Sequence, residues 1–434
     1  MKKIGVGVLG CGVIGSAVVN NLIKGAKDIS AKCGAEIEVR RIAELDFNRK
    51  AGVPESVGSL FTKNLDDIVL GDDIDIVIEL MGGLDTPFMA IEKAIKAGKH
   101  IVTANKHLIA KKGEDIYKAA LDAGVEVNFE ASVAGAVPIL RTLKEGIVGG
   151  EIISINGIIN GTANYILTEM AESDADFSDV LAEAQKLGYA EADPTFDIEG
   201  IDAAHKIAIM ASMAYGTPVD FDSIYIEGIS NITSEDFFYA KKFGKVIKLL
   251  GIARLENGEI DVRVHPVMLP CGKPIARVDG VTNAVELKVS HAGDLMLIGP
   301  GAGGDATSSA VIADAVEIAR NIVTGSVGRV PPTAFLPNAR KKLPMKSIDE
   351  IECSYYLRFQ VEDKPGVLAN MAGILGENNI GIQSAYQNNA EAEVVPLVII
   401  THAAKEKDLR KAVEKIDRLD TVREKTVIIR QENG

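Results

Sequence analysis

The stretch that decides the fold of the first part of the chain is Gly10-Cys11-Gly12-Val13-Ile14-Gly15. It has the pattern G-x-G-x-x-G, which is weak evidence alone, but here it follows a predicted strand at 3–9 and opens a predicted helix. In that setting the first Gly makes a tight turn, the second lets the backbone approach a pyrophosphate, and the third lets the helix pack on the strand. The stretch therefore predicts a dinucleotide-binding βα turn.

Outward from this turn, the first 130 residues alternate between strand and helix patterns. Further strands are predicted at 37–45, 73–80, 100–104 and 125–131. Helices are predicted at 14–25, at 86–97 with Thr86 as the cap, and at 114–123. Alternation of this kind is typical of βαβ units with a parallel sheet. We therefore expect an α/β fold with a Rossmann-type doubly wound parallel sheet.

Both acidic and basic residues that could bind the cofactor ribose lie at the end of the second predicted strand. Glu44 or Asp46 stands where a carboxylate would bind the ribose hydroxyls of NAD. Arg40, Arg41 and Arg49 lie close by in the sequence, and an Arg in this region would accept the 2′-phosphate of NADP. The choice between NAD and NADP therefore stays open.

A second candidate site is the turn Thr103-Ala104-Asn105-Lys106, directly after a predicted strand. In open α/β sheets, ligands bind at the carboxyl ends of the strands. Lys106 would reach both cofactor and substrate from this edge. The alternative is a solvated lysine beside a helix terminus.

The segment 201–214 is apolar nearly all round and predicts a buried helix. Asp202 and Lys206 are four residues apart on one face of this helix, with the acid before the base. Buried Asp and Lys are rare unless they are paired or line a site. We expect Lys206 to transfer a proton while Asp202 orients it, and a purely structural buried pair is the alternative.

The loop before this helix carries four carboxylates, those of Glu191, Asp193, Asp197 and Glu199. Crowded carboxylates suit the recognition of a cationic group such as an α-amine. An acidic surface loop explains the same residues without a ligand.

The regular alternation of predicted strands and helices ends after residue 131. Helices are predicted near 162–172, 177–187, 199–215 and 306–323, and residues 220–300 are rich in strand patterns. Four prolines between 331 and 344 indicate a linker. Beyond it the pattern β-α-β-β-α-β predicts a ferredoxin-like module.

Composition excludes several classes of protein. The 434 residues include 61 acidic and 47 basic side chains, a net charge of −14, which argues against a nucleic-acid partner. The four cysteines are scattered without a CxxC pair, so neither a zinc site nor a disulfide framework is expected. We find no apolar run of about 18 residues and no signal peptide, and we expect a cytoplasmic protein without a membrane partner.

These motifs together resemble the homoserine dehydrogenase family, in its monofunctional form, over nearly the whole chain. The distinctive stretches are 103–106, 129–135, 160–167 and 188–206, in this order. The resemblance implies reversible NAD(P)-dependent reduction of L-aspartate 4-semialdehyde to L-homoserine, a step of threonine, methionine and isoleucine biosynthesis.

The resemblance also implies roles for individual residues. Lys206 matches the proton donor to the aldehyde oxygen, and Lys106 matches a second active-site lysine that meets the nicotinamide and the substrate. Glu191 matches the residue that binds the substrate amine, with Asp197 and Asp202 as supporting acids. The implied cofactor contacts are Gly10, Gly12, Val13, Ile14, Gly15, Arg40, Thr103, Lys106 and Gly303.

Two further features follow from the resemblance. The family binds a monovalent cation, commonly sodium, and the matching positions here are Glu130 with the backbone oxygens of Val133, Gly135 and Val137. The family's second Gly-rich segment usually carries a basic residue where Gly304 or Asp305 stands, so this chain departs from the pattern there.

The stretch 361–369, with Pro365 and Gly366 at a sharp turn, resembles an ACT domain. This implies threonine as an effector, and a module that serves assembly alone is the alternative. A homodimer or homotetramer is expected, because both the middle and the C-terminal parts of the family self-associate. The predicted domains are an NAD(P)-binding domain of residues 1–131 and 305–330, a catalytic and dimerisation domain of residues 132–304, a linker of residues 331–350 and an ACT domain of residues 351–434.

Two other functions compete with this interpretation. One is a Rossmann oxidoreductase with a different aldehyde or sugar substrate, and the other is a non-catalytic amino-acid sensor. The first is disfavoured by the turn Thr103-Ala104-Asn105-Lys106, which we call the TANK turn, and by the acidic block at 188–206. The second is disfavoured because both lysines and their supporting acids are present.

Overall fold

The computed structural model describes residues 1–173, 175–387 and 392–432, without the side chains of residues 50 and 51. By contacts the chain divides into two compact units. The first unit is Met1–Ile159, His205–Ser223 and Thr282–Leu343, and the second unit is Asn160–Ala204, Ile224–Val281 and Pro344–Gly434. The finer division predicted above, into two segments of a cofactor domain, a catalytic domain, a linker and an ACT domain, stays a prediction.

The elements run in three stretches. Up to residue 159 they are β1 (Lys2–Leu9), α1 (Val13–Lys24), α2 (Ala26–Cys33), β2 (Ala35–Ala43), β3 (Phe61–Thr62), α3 (Asp66–Val69), β4 (Ile76–Glu79), α4 (Asp85–Lys96), β5 (His100–Thr103), α5 (Lys106–Ala123), β6 (Val127–Asn128), α6 (Ile139–Arg141) and β7 (Ile152–Ile158). Up to residue 281 they are α7 (Gly161–Ser173), α8 (Phe177–Lys186), α9 (Thr195–Ile198), α10 (Ile201–Tyr215), β8 (Tyr225–Ile226), α11 (Ser234–Lys242), β9 (Lys245–Glu256) and β10 (Glu259–Pro270). The remaining ones are β11 (Thr282–Val289), β12 (Gly293–Pro300), α12 (Gly304–Thr324), β13 (Glu352–Glu362), α13 (Val367–Glu377), β14 (Ile382–Gln387), β15 (Val394–Thr401), β16 (Ala404–Lys405), α14 (Glu406–Ile416) and β17 (Val427–Gln431).

A six-stranded parallel sheet organises the first unit. Its strand order is β3-β2-β1-β4-β5-β6, and every pairing is parallel. β1 is buried at each position from Ile4 to Leu9, as expected for a strand covered on both faces. The predicted Rossmann-type sheet is therefore confirmed. The same unit also contains the antiparallel strands β12, β11 and β7.

Helix α12 returns to the core of the parallel sheet. Val311 and Ala315 of α12 are buried in one cluster with Val18 and Val19 of α1. The Asn21 side-chain amide donates to the Ser308 hydroxyl at 2.8 Å. These contacts join α12 to α1, although nearly 280 residues lie between Lys24 and Gly304.

Two helical boundaries differ from expectation. The sequence pattern places the start of α5 at residue 114, but α5 begins at Lys106, because the Asn105 side chain accepts the Leu108 N–H at 3.1 Å and caps the helix. The pattern also places Thr86 at the cap of α4, whereas that helix begins at Asp85 and Thr86 lies inside it.

The predicted linker is packed along the first unit as far as Leu343. The Arg340 guanidinium donates two hydrogen bonds to the Glu114 carboxylate of α5, at 2.6 and 2.7 Å. The Lys341 N–H donates to the Gly216 carbonyl at 3.1 Å. This segment is therefore fixed to α5 and to the end of α10.

The C-terminal module has the predicted order β13-α13-β14-β15-α14-β17, which confirms the ferredoxin-like fold. Leu357 of the sheet packs with Met371 and Leu375 of α13 and with Leu409 of α14 in one buried cluster. The last strand also pairs in parallel with β10, so the second unit carries the order β9-β10-β17-β13-β15-β14. Across the described residues, no helix combines the length and the apolarity that crossing a bilayer requires.

A buried ion pair joins α11 to β13 in the second unit. Asp236 is fully buried and accepts hydrogen bonds from the Arg358 guanidinium at 2.7 and 3.1 Å and from the Tyr356 hydroxyl at 2.9 Å. The same carboxylate completes a capping box with Thr233. Removal of the carboxylate would leave a buried guanidinium short of its main partner, which is far more costly than loss of an exposed pair.

We predict that Asp236→Asn lowers the free energy of unfolding by about 3 kcal/mol, because it removes one charge of a buried pair. Urea denaturation followed by circular dichroism measures the change.

Glu256→Gln is the matched control, since it removes a partly exposed pair with Lys346 at 3.0 Å. Its expected effect is below about 1 kcal/mol. Equal losses in the two variants would contradict the importance assigned to the buried pair.

Candidate active site

The turn between β1 and α1 leaves no room for side chains at two of its glycines. A Cβ at Gly15 would lie 2.1 Å from the Gly10 carbonyl oxygen. Gly10 itself has φ +94°, and a Cβ there would lie 2.8 Å from the Leu80 carbonyl oxygen. Gly12 precedes the first turn of α1 and has open space beside it, with only Arg49 within 4 Å of a Cβ. This geometry allows an anion to approach the backbone N–H groups at the helix N-terminus.

The two residues between these glycines differ in exposure. Val13 is the first residue of α1 and is 76% exposed, whereas Ile14 packs against the core of the sheet. Val13 therefore presents an apolar surface beside the turn.

Glu44 follows β2 and holds the glycine turn. Its carboxylate accepts the Cys11 N–H at 2.8 Å and the Asp46 N–H at 3.1 Å, and the Arg49 guanidinium lies 3.2 Å away. Partial burial acts to raise the pKa of Glu44, but these two N–H groups and Arg49 hold the pKa below its usual value. Glu44 is therefore a carboxylate at neutral pH.

The arginines near this turn are placed differently from one another. Arg40 lies within β2, pairs with Glu38 at 2.5 Å and runs beside Gly5, in the middle of β1. Arg49 lies next to Gly12 at the turn and is about half exposed. The structure thus brings Arg49, rather than Arg40, to the glycine turn.

Gly303 and the start of α12 lie against the same turn. A Cβ at Gly304 would be 3.2 Å from the Val13 carbonyl oxygen and 3.4 Å from the Ala17 side chain. Asp305, one of the positions at which the family carries a basic residue, accepts a hydrogen bond from the Asn21 side chain at 3.2 Å. The two Gly-rich segments predicted from sequence therefore meet in the first unit.

A buried acid that sequence analysis missed organises the TANK turn. Glu79 ends β4 and accepts the Thr103 hydroxyl at 2.6 Å and the Met81 N–H at 2.8 Å. Burial raises the pKa of Glu79, and the hydrogen bond from Thr103 acts in the opposite direction. The Thr103 hydroxyl in turn accepts the Asn105 N–H at 3.0 Å. An acidic residue after the apolar run 76–78 was the available signal.

The positions of the two candidate lysines are set by the helices that carry them. Lys106 is the first residue of α5, immediately after the Asn105 cap. Lys206 belongs to α10, which is buried over most of its length as predicted, and its ammonium group donates to the Ile159 carbonyl at 2.7 Å. Both lysines belong to the first unit.

The second unit contains a pair of carboxylates joined by one amide. The Asn160 side-chain nitrogen donates to Asp197 at 2.7 Å and to Asp202 at 2.8 Å. The Asn160 oxygen accepts the Ala163 N–H at 2.7 Å and so begins α7. Sequence analysis assigned Asp197 and Asp202 to the pocket but gave no role to Asn160, although it opens the distinctive stretch 160–167.

The other acids of the predicted cluster are directed elsewhere. Asp193 accepts the Thr195 hydroxyl at 2.6 Å, and Glu199 accepts the Ser230 hydroxyl. Glu191 is exposed. Of the four loop carboxylates, Asp197 alone is linked through the Asn160 amide to Asp202 of α10, and Glu191, Asp193 and Glu199 are placed separately.

The predicted cation loop surrounds a buried carboxylate. Glu130 accepts the Leu140 and Arg141 N–H groups at 2.9 and 2.7 Å. Burial, and then the charge of Asp314, raise the pKa of Glu130 to about 7. Ala134 has φ +54°, a conformation that is uncommon for a non-Gly residue and is retained only where the surroundings enforce it.

The backbone oxygens of this loop come from Val133, Gly135 and Val137, and the Val137 carbonyl already accepts the Ile139 N–H at 2.8 Å. Carboxylate and carbonyl oxygens are the donors that a hard cation prefers, and a cation would offset the unfavourable charge of Glu130 beside Asp314. The residues present therefore fit a monovalent cation. Among the described residues, no group of three His, Cys, Asp or Glu side chains has the geometry of a metal site.

Family models match three successive parts of the chain. The model described as homoserine dehydrogenase, NAD binding domain, matches residues 10–130. The model described as homoserine dehydrogenase matches residues 138–316, and the ACT domain model matches residues 355–421.

Individual proteins match over all or most of the chain. A homoserine dehydrogenase of Pseudomonas aeruginosa is 44% identical over 434 residues, which cover 100% of this chain and 99% of that protein. The crystal structure of a homoserine dehydrogenase from Thiobacillus denitrificans has a TM-score of 0.94 and 45% identity, with 100% and 99% of the two chains covered. A hyperthermophilic archaeal homoserine dehydrogenase in complex with NADPH has a TM-score of 0.60 and 27% identity, with 73% and 97% covered.

We predict that Gly15→Ala abolishes nicotinamide cofactor binding, because its methyl group would force apart the turn and α1. The enhancement of NADPH fluorescence on binding measures this directly, since the chain has no Trp to interfere.

The control is Gly58→Ala, at a glycine with nothing within 4 Å of an added Cβ. It should bind NADPH as the unaltered protein does. Normal NADPH binding by Gly15→Ala would contradict the assignment of this turn to the cofactor.

Proposed function

This chain belongs to the homoserine dehydrogenase family, and from that premise we propose which of its residues carry out the NAD(P)H-dependent reduction of L-aspartate 4-semialdehyde to L-homoserine. The observation that carries the proposal is that Lys106 and Lys206 belong to one compact unit with the glycine turn. Lys106 begins a capped helix after a strand of the parallel sheet, and Lys206 is anchored within a buried helix.

The cofactor is proposed to bind at the carboxyl end of β1. Its pyrophosphate would meet the N–H groups that open α1, and Val13, Ile14, Thr103 and Gly303 would line its path. Glu44 suits the ribose hydroxyls of NAD, and Arg49 suits the 2′-phosphate of NADP, so the assay below uses both cofactors. Arg40, predicted as a contact from sequence, would reach the cofactor only if its pair with Glu38 opened.

The proposed acid is the Lys206 ammonium group. A reduced nicotinamide, when bound, would supply the hydride for the carbonyl carbon, so negative charge would develop on the aldehyde oxygen. Lys206 would donate a proton to that oxygen, and a positioned donor of this kind contributes about 10²–10⁴-fold to the rate. The Ile159 carbonyl and Asp202, one turn earlier in α10, would orient the ammonium group. Lys106 would stabilise the same oxygen by its charge.

The substrate amine is proposed to meet the acidic residues of the second unit. Glu191 would bind the amine directly, and its exposure leaves it accessible. Asp197 and Asp202 would support the pocket, since the Asn160 amide donates to both carboxylates and holds them in place.

A monovalent cation, sodium by resemblance, is proposed to bind Glu130 and the backbone oxygens of Val133, Gly135 and Val137. The support is the buried carboxylate in a constrained loop. The cation would supply structural charge there and takes no part in the proposed proton transfer.

We propose that threonine regulates the enzyme by binding the ACT domain and lowering the rate.

We also propose a homodimer or homotetramer, supported by the exposed apolar face of β12, where Ile298 is 58% exposed. A cytoplasmic location is consistent with four cysteines that are all free thiols.

We predict that Lys206→Met lowers kcat for homoserine oxidation by about 10²–10⁴-fold, the contribution of one positioned proton-transfer group. Binding of NADPH, measured by fluorescence, should be unchanged. The assay is run with NAD and with NADP to determine the preferred cofactor.

Lys288→Met is the control, because Lys288 is an exposed lysine of β11 in the same unit. It should retain full activity. Turnover by Lys206→Met at the rate of the Lys288 variant would refute the role of proton donor, and no turnover by the unaltered chain with either cofactor would refute the proposed reaction.

We predict that L-threonine lowers the rate of the full chain and that Gly366→Ala raises the threonine concentration for half inhibition. Gly366 has φ +92° at the turn into α13, so a side chain there would distort the strand–turn–helix segment.

Gly373→Ala, inside α13 with open space around its Cα, is the matched control and should respond to threonine normally. A rate that does not change with threonine would favour an ACT module that serves assembly alone.

A further inference from the structure

Each of the two proposed active-site lysines has a histidine as its chain neighbour. His107 follows Lys106 at the start of α5, and His205 precedes Lys206 in α10. The two imidazole rings are in contact, with centroids 4.9 Å apart and planes tilted by 48°. The residues directly beside the lysines are thus in contact with each other across the two helices.

The contact continues through a second ring and a cation. His205 stacks on Phe221 with centroids 4.4 Å apart and planes at 12°. The Lys111 ammonium group lies 4.3 Å from the centroid of Phe221 and 2.5 Å from the Asp222 carboxylate. His107, His205, Phe221 and Lys111 form what we call the ring column.

Helix α5 supplies both ends of the ring column. His107 and Lys111 are four residues apart in α5, which is one helical turn, and they form the two ends of the column. The His205 and Phe221 rings are held between them, and His205 is only 2% exposed. The contact between the His107 and His205 rings therefore sets how closely α5 and α10 approach each other at this level.

The surroundings of His107 favour its neutral form. Burial lowers the pKa of His107, and the charges of Lys111 and Lys106 lower it further.

We propose that His107 and His205 are positioning residues that set the distance between the Lys106 and Lys206 ammonium groups. The proposal rests on the roles assigned to these lysines above. Rates of proton transfer fall steeply with misplacement, and an error of about 1 Å can cost about 10²-fold. A flat ring at each position keeps the spacing, whereas a methyl group would let α5 and α10 approach each other.

The test compares His205→Ala with His205→Phe, which keeps a flat ring and removes the ring nitrogens. His205→Ala should lower kcat by at least about tenfold, in keeping with a displacement of less than 1 Å, while NADPH binding is unchanged. His205→Phe should recover most of the lost kcat. His107→Ala and His107→Phe should behave in the same way, and the two alanine substitutions together should cost less than the product of their separate effects, because either one opens the column.

The matched control is His265→Ala. His265 is a fully buried histidine of β10 in the second unit, with its ring 6.4 Å from that of Tyr225. It should lower the midpoint of thermal unfolding without changing kcat.

Two results would overturn the proposal. If His205→Ala loses stability as His265→Ala does but keeps its kcat, the ring column is packing alone. If His205→Phe is as slow as His205→Ala although both are folded, the ring nitrogens act directly and spacing is not the cause. If His205→Ala does not fold, the His205→Phe and His107 variants decide by the same criteria. A full rate in Lys206→Met would instead refute the proposed proton donor, so the two failures are distinguishable.

Discussion

The first unit depends on the close approach of backbone segments at the end of β1. Because no side chain fits at Gly10 or Gly15, α1 can start directly at the edge of the sheet, against the Leu80 carbonyl that follows β4. The next contacts follow from this one. Glu79, beside Leu80, holds Thr103 at the end of β5, and Thr103 holds the Asn105 N–H. Asn105 caps α5, so the position of Lys106 depends on the glycine turn two strands away.

The buried acids of this chain are stabilised in two different ways. Asp236 meets a guanidinium, which neutralises its charge and joins α11 to β13. Glu79 instead accepts the Thr103 hydroxyl and the Met81 N–H, and the Asn160 amide donates to both Asp197 and Asp202. Neutral donors also hold the buried Glu126, whose carboxylate accepts the Asn321 side-chain amide and the Gly328 N–H. Burial raises the pKa of both Glu79 and Glu126, and the hydrogen bonds from these neutral donors act in the opposite direction.

Sequence patterns predicted the parallel sheet, the buried helix α10 and the ferredoxin-like module, because each rests on local periodicity. They predicted Lys106 as a turn residue, but Lys106 begins α5. The Asn105 cap starts this helix eight residues before the predicted start at residue 114, in a stretch whose helical pattern is weak. Charge spacing did not reveal that Arg49 rather than Arg40 lies beside Gly12, because that depends on how the chain folds after β2. The role of Asn160, the buried Glu79 and the ring column all come from contacts between distant segments, which periodicity does not encode.

The ACT module is also bound to its unit by a contact that no local pattern indicates. Arg430 of β17 is 3% exposed and donates to Glu406 of α14 at 2.5 Å and to Glu227, just after β8, at 2.7 Å. Its strand pairs with β13 on one side and β10 on the other. Separating the module from β10 would leave a buried guanidinium with half of its partners, and removal of one partner from a buried pair costs about 3–5 kcal/mol. Arg430 therefore joins β17 to α14 and to the segment after β8 within the second unit.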